Sequence, residues 1–325
     1  MAGTTLSTTG SATVGPQSTI QQYFDKKLLE QTLKTIVLDQ FAFKAPLPGK
    51  AGHKTVRFFR YPESATTDVQ TMTEGTLLTL GNSKQLSMVT VDVSLLQYGQ
   101  TVTISDLLSA VELFNTMEQA TVQNGQDAAL KVDELLRNIL GDSTALQLRY
   151  AGAATNYATV GGTDDAMTAL DILDAATNLR VNNARPSGGY FTAIMAPEVA
   201  RDLMNDDDWL EASKYGNPDN LFKGEVGRYM GVRVVASTNP YRQNTQHTYT
   251  AAGTRYSTFV VGDQSYGGVN LATMSAYSPK MVIAQGPDKT DPLAQFTTVG
   301  FKFYYGGAII NANHAVNICS VTNYS

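Results

Sequence analysis

The sequence predicts an α+β protein, and three patterns carry that prediction. Apolar residues run at period two through residues 55–61 and 86–104, at helical period from 103 to 141, and in alternating helical and strand-like stretches beyond 160. The first two patterns adjoin through Leu95-Leu96-Gln97-Tyr98-Gly99. A long hairpin that cannot bury both faces, feeding a helix too long for a compact domain, describes a part built to pack against other copies of itself.

Each element follows from local chemistry. Residues 1–19 are rich in Thr, Ser and Gly, and no charged side chain occurs before Asp25. Such a segment buries too little apolar surface to offset its ordering entropy, so a mobile arm is expected. Tyr23, Leu28, Leu29, Leu33, Ile36 and Val37 then trace a short amphipathic helix, with Pro46-Leu47-Pro48-Gly49 forcing a break after it. In the hairpin, Val56 and Phe58 face one way and Arg57 and Phe59 the other, while Val89, Val91, Val93 and Leu95 alternate with Thr90, Asp92 and Ser94. The polar, Thr-rich stretch 62–85, with turn signals at Glu74-Gly75 and Gly81-Asn82, forms the distal hairpin.

One helix is expected from about Thr103 to Gly141, roughly 50 Å long at about 1.5 Å per residue. Thr103 and Asp106 have capping-box spacing, and Ser105 is a rival cap. Leu107, Val111, Phe114, Met117, Ala129, Val132, Leu136 and Ile139 mark its apolar stripe, with Gly125 as a weak point. A further helix spans about 163–182, with Met167, Leu170, Leu173 and Ala176 inward, and Pro197 starts another after a strand at 190–195. Strands are expected at 226–229, 232–236, 258–261, 281–284, 296–305 and 308–319, with 239–256 a polar insertion loop.

Composition bounds the chemistry. At 325 residues, 42% hydrophobic and 16% charged, the chain is a folded protein near the size at which cores divide. A net charge of -5 gives no cationic footprint for nucleic acid. The single cysteine, Cys319, excludes an intramolecular disulfide and a Cys-based zinc site within one chain, and fits folding in a reducing cytoplasm. No secretory signal and no membrane-spanning apolar run are expected.

No catalytic constellation emerges. Gly262-Asp263-Gln264-Ser265-Tyr266-Gly267 is one residue too long for a nucleophile elbow and reads as a Gly-rich turn. His53, His247 and His314 lie far apart, and Asp206-Asp207-Asp208 and the pair Asp288 and Asp291 read as solvated loops. Phe301, Tyr304 and Tyr305 lack basic neighbours beyond Lys302, so they are core or interface and not base-stacking platforms. No catalytic, cofactor-binding or metal-binding residue is assigned, and no cofactor is expected.

Five short motifs occur in a fixed order: Glu74-Gly75 before a strand, Leu96-Gln97-Tyr98-Gly99, Ser105-Asp106 at the mouth of the long helix, Ala196-Pro197-Glu198 after a strand, and Val299-Gly300-Phe301-Lys302 before an Ala-rich final strand. In that order and spacing, from about Gln21 to Cys319, the chain resembles the major capsid proteins of tailed bacteriophages, most closely the group typified by the coat protein of podophage N-four. The resemblance implies Trp at the position where this chain has Phe301.

The resemblance implies the Hong Kong 97-like coat fold. Its expected parts are an N-terminal arm (1–50), an extended loop (51–104), a peripheral domain with the spine helix (105–160), an axial domain (161–275), and C-terminal strands returning to the peripheral domain (276–325). It also implies a non-enzymatic protein that self-assembles, as pentamers and hexamers, into the icosahedral shell around a phage double-stranded DNA genome. Scaffolding, portal and decoration proteins are the implied partners, with weak, non-specific contact to packaged DNA through residues such as Lys26, Lys27 and Lys34, and no membrane. The implied location is the virion capsid, and the host cytoplasm during assembly. Competing readings are a cellular nanocompartment shell of the same fold, a hydrolase with scattered ligands, and a β-rich adhesin or tail protein; the long helix and lack of repeats weigh against the last.

Overall fold

The computed structural model describes residues 36–47, 52–62, 74–75, 86–111, 115–156, 159–161, 163–210, 227–242, 255–271, 280–284, 286 and 291–324. The expected arm, most of the helix before residue 38, nearly all of the hairpin tip and 243–254 of the polar loop lie outside these residues.

Two sheets organise the chain. The first has β1 (Phe43–Leu47), β11 (Tyr266–Leu271), β13 (Phe296–Ile309) and β12 (Lys280–Ala284) in that order, with β4 (Leu96–Ser105) also paired to β13. The second runs β5 (Gln147–Tyr150), β14 (Ala315–Ser320), β10 (Tyr256–Val261), β6 (Phe191–Met195), β8 (Val232–Ala236) and β7 (Arg228–Tyr229), with β9 (Tyr241–Arg242) paired to β10. Strands β6, β10 and β14 are buried along their whole length. They read as continuous apolar or small-residue runs because both faces of this sheet are covered.

A two-stranded ribbon stands apart. In it β2 (Thr55–Arg60) and β3 (Val89–Ser94) pair antiparallel from Thr55↔Ser94 to Arg60↔Val89. The single strand expected over 86–104 is therefore two strands. β3 pairs with β2, whereas β4 pairs with β13 over Leu96↔Tyr305 to Ser105↔Phe296. The change of partner falls at Leu95, which is buried and whose N–H donates to Lys54 O at 2.9 Å.

The single helix expected from 103 to 141 is also two. Thr103 belongs to β4, and Ser105 Oγ accepts from Leu108 N (3.3 Å) to open α1 (Asp106–Val111). Asn115 then opens α2 (Thr116–Gly141) by accepting from Glu118 N at 3.3 Å, an N-cap the periodicity had run over. The new start resets the helical phase, so Leu107 and Val111 are exposed instead of continuing the stripe. Phe114 lies outside the described residues. The spine helix α2 has 26 residues, about 39 Å, and runs through a buried Gly125.

Ala128, Ala129, Val132, Leu136 and Leu140 of α2 are fully buried. Most of them join Phe301, Phe303 and Tyr305 of β13 and Tyr266 of β11 in one core, which continues into Ile194, Phe259, Val261 and Ala315 of the seven-stranded sheet. One helix thus ties both sheets together. The other face of the seven-stranded sheet carries α3 (Ala169–Val181) and α4 (Pro197–Met204).

α3 starts later than expected, because Thr168 and Asp171 close a full capping box. That start turns Ala169, Ile172, Ala175, Ala176 and Leu179 inward and leaves Leu170 exposed. Pro197 opens α4 as expected. Several local expectations give way to longer-range pairing. Ile36 and Val37 are not helical but lead into a 3-10 turn (Leu38–Phe41), and Pro46 sits inside β1, the outermost strand of its sheet path. An edge position needs no N–H on its free side, which is why proline is tolerated there. The strand expected over 308–319 is the end of β13, a 3-10 turn at Ala312–His314, and β14.

Sheet membership also cuts across the expected segments. β5 and β14, from 105–160 and 276–325, lie in the seven-stranded sheet, whereas β11, from 161–275, lies in the five-stranded one.

Candidate assembly interface

The residues weighed for chemistry fall into structural roles. Ser265, in the Gly-rich turn, donates through Oγ to Gly262 O at 3.0 Å and is buried. Asp206 Oδ2 accepts from Ala169 N at 2.6 Å, tying the start of α3, while Asp207 and Asp208 are exposed. Asp291 Oδ2 accepts from Phe296 N at 2.9 Å. Asp288 and His247 lie outside the described residues. His314 Nδ1 is 3.1 Å from Asp263 O, and His53 is exposed ahead of β2. Among the described residues, no three His, Cys, Asp or Glu side chains are grouped to hold a metal ion. Burial pushes the Cys319 thiol up to about 12, which keeps it protonated and unreactive.

Among the described residues, the ribbon leaves a group of apolar side chains uncovered. Its alternation is as the sequence predicts. Val56, Phe58, Val91 and Val93 face inward onto Leu47, Leu95, Val269 and Ile310. On the other side, Arg57 Nε and Nη2 meet Asp92 Oδ1 and Oδ2 at 2.6 and 2.8 Å across the strands. That pairing holds the Asp92 carboxyl below its ordinary range. Phe59, Tyr61, Leu86 and Met88, toward the distal end, are exposed. A two-stranded ribbon is marginal in water by itself, so these residues are the part a partner would cover.

The ribbon is braced where it leaves the body. Any Cβ at Gly306 would come within 2.5 Å of Ser94 O, so β13 must carry glycine where the end of β3 crosses it.

A buried polar anchor holds the chain just before the ribbon, and the periodicity gave no sign of it. Asp133, in the second half of α2, accepts from Val37 N (2.9 Å) and Leu38 N (3.1 Å). Tyr305 donates to Asp39 Oδ1 at 2.6 Å, Tyr266 donates to Leu38 O at 2.5 Å, and Lys44 Nζ lies 3.4 Å from Asp39 Oδ2. Burial is the main cause that raises Asp133 to about 6, with nearby Asp39 adding to it against the backbone N–H groups that favour its charge. The same burial raises the Tyr266 phenol well above its usual range. An Asp beside the apolar stripe reads in sequence as a solvated position; only the packing of 36–41 across the helix makes it a buried acceptor.

No family model and no curated protein matches the sequence. Solved structures do match in fold. The capsid protein of Ralstonia phage GP4 is 14% identical, with a TM-score of 0.67 over 89% of this chain and 92% of that one. The cyanophage Pam1 capsid is 15% identical, with a TM-score of 0.65 over 91% and 93%, and the cyanophage P-SCSP1u capsid 16% identical, with 0.64 over 89% of each chain. The chain has the tailed-phage coat fold that the resemblance implies.

Proposed function

We propose that this chain is a major capsid protein that self-assembles, as pentamers and hexamers, into the icosahedral shell around a phage double-stranded DNA genome. The observation that carries the reading is the ribbon: a two-stranded element packed by its inner face on a body of the coat fold, whose distal end leaves Phe59, Tyr61, Leu86 and Met88 exposed. The reading is of a structural, non-enzymatic protein.

In this reading the five-stranded sheet and α2 form the peripheral domain, and the seven-stranded sheet with α3 and α4 forms the axial domain. The arm and the hairpin tip contact neighbouring subunits. Scaffolding, portal and decoration proteins are partners, and contact with packaged DNA is weak and sequence-independent because the net charge is -5. The protein occupies the virion capsid and assembles in the host cytoplasm. The narrower likeness to the podophage N-four group rests on the sequence motifs.

Negative-stain microscopy of the purified, overexpressed chain tests this. Shells, tubes or capsomers are expected, and a dispersed monomer at high concentration would overturn it. Deleting residues 66–82 should leave a folded subunit that fails to assemble; loss of the folded monomer would instead put the tip in the core.

A further inference from the structure

We propose that the β7–β8 hairpin and the 185–190 loop beside it form a phosphate-binding corner that takes the backbone of duplex DNA; that the duplex is packaged DNA rests on the shell reading. Arginines far apart in sequence meet there. Arg228 of β7 and Arg233 of β8 are registered directly opposite each other, so their side chains leave one face of the sheet about 5 Å apart. Arg180, near the end of α3, reaches the hairpin turn and donates through Nη2 to Met230 O at 2.9 Å. Arg185 is exposed in the loop leading to β6, and that loop closes on the same turn, where Phe191 N donates to Gly231 O at 3.0 Å.

The charge at this corner is uncompensated. Like charges directly opposite each other on paired strands destabilise the pairing unless an anion joins them. Elsewhere the chain supplies that anion itself: Arg57 meets Asp92, Arg149 meets Asp174, Arg201 meets Asp202 and Arg242 meets Glu198. Among the described residues, Arg180, Arg185, Arg228 and Arg233 have no such ion pair. Asp263 is tied to the loop by its N–H, which donates to Arg185 O at 2.7 Å. Even with Asp263 counted, four guanidinium groups stand against one carboxylate, in a chain whose net charge is -5.

The side chains suit phosphate. Arg228 stacks over the Tyr190 ring at 4.5 Å and Arg233 over the Phe41 ring at 5.0 Å. Stacking occupies a face of each guanidinium and leaves its edge donors, a planar fork that matches phosphate oxygens. Arg233 Nε is buried without a hydrogen-bond partner. Gly188 and Gly189 place no side chain between the loop backbone and a ligand.

Exposure decides between a small anion and a polymer. Small ligands are held in concave sites that bury most of their surface. Arg180, Arg185 and Arg228 are exposed instead, which fits a chain of charges laid across the corner. Each DNA strand offers a phosphate about every 3.4 Å along the axis, so one stretch of backbone can meet several of these arginines.

The test measures binding of a labelled random-sequence duplex to the full chain by fluorescence anisotropy, between about 50 and about 200 mM salt. The variant combines Arg180→Gln with Arg228→Gln. Both sites are exposed, so circular dichroism and the thermal midpoint should match wild type. Two lost phosphate contacts should lower the slope of log affinity against log salt by roughly 2 and weaken binding at least about tenfold. A slope and affinity equal to wild type overturn the proposal. Arg185→Glu alone keeps the test decisive if the double variant misfolds: it should lower the slope by about 1, and an unchanged slope overturns the proposal.

Inorganic phosphate and poly-glutamate, matched in ionic strength, serve as competitors, and neither should displace the duplex. Displacement by phosphate makes the corner a small-anion site, and displacement by poly-glutamate as effective as by unlabelled duplex makes it a general polyanion site; each overturns the assignment. Shell yield, scored in parallel by microscopy, should be the same in variant and wild type. Shells lost with DNA binding retained make the corner a subunit contact and overturn the proposal. A wild-type chain that never assembles overturns the shell reading, while the salt slope still decides the phosphate site.

Discussion

Asp133 offers the most quantitative test of the anchor that precedes the ribbon. It is 2% exposed and held against the backbone of residues 37 and 38, and its carboxyl is raised to about 6 against 3.8 in an unperturbed chain. The folded state therefore binds this proton more tightly than the unfolded state does. The stability contributed by protonation is fully present below 3.8 and is lost as pH rises through about 6. The gap between 3.8 and about 6 corresponds to about 3 kcal/mol.

The informative perturbation is Asp133→Asn, which keeps the shape and one acceptor oxygen but cannot titrate. Urea unfolding of both proteins, followed by tryptophan fluorescence and circular dichroism from about pH 7.5 down to about pH 4, gives the difference in stability at each pH. Titrations of groups that do not interact with Asp133 cancel in that difference. It should shift in favour of wild type by roughly 2–3 kcal/mol as the pH falls to about 4. A flat difference would mean that burial does not govern the carboxyl. A shift toward the variant at low pH would mean that the backbone N–H groups hold the anion more strongly than burial opposes it. Either result refutes the reasoning.

Other outcomes follow from packing. Leu136→Ala removes a fully buried side chain between α2 and β13 and should cost roughly 2–5 kcal/mol by denaturant unfolding. Val132→Asp places a charge in the same core and should yield insoluble subunits, checked by the soluble fraction after expression. Gly306→Ala drives a Cβ against the backbone oxygen of Ser94 and should cost roughly 1–3 kcal/mol, with faster proteolysis at the base of the ribbon. Arg57→Ala breaks an exposed pair on the ribbon and should leave the thermal midpoint of the subunit unchanged. Cys319 should fail to react with Ellman's reagent in the native protein and react fully once unfolded.

The ribbon's alternation, the strands at 191–195 and 232–236, the body of the spine helix and the proline-led α4 were all legible in sequence. In each, neighbours two, three or four positions apart carry the signal. What local pattern could not carry was the choice of partners. Gly262–Gly267 reads as a Gly-rich turn, yet its last two residues, Tyr266 and Gly267, open β11, an inner strand of the five-stranded sheet paired with β1 and β13 through backbone groups that glycine supplies as well as any residue. Leu107 and Val111 match the helical stripe in spacing, but the fresh cap at Asn115 takes them out of phase with the core. Leu95 looks like one more strand residue, yet it marks the change of partner because β13 competes with β2 for the chain on either side of it.

The sequence by itself determined the apolar periods of the ribbon and of the spine helix's body and the proline-led start of α4, because those depend on residues close along the chain. Only the tertiary structure decided which sheet each strand joined, which apolar side chains stayed in water, and that Asp133 would be buried. Those outcomes depend on segments that meet across 95 residues at Leu38 and Asp133 and across 266 at Asp39 and Tyr305, and no local period records such meetings.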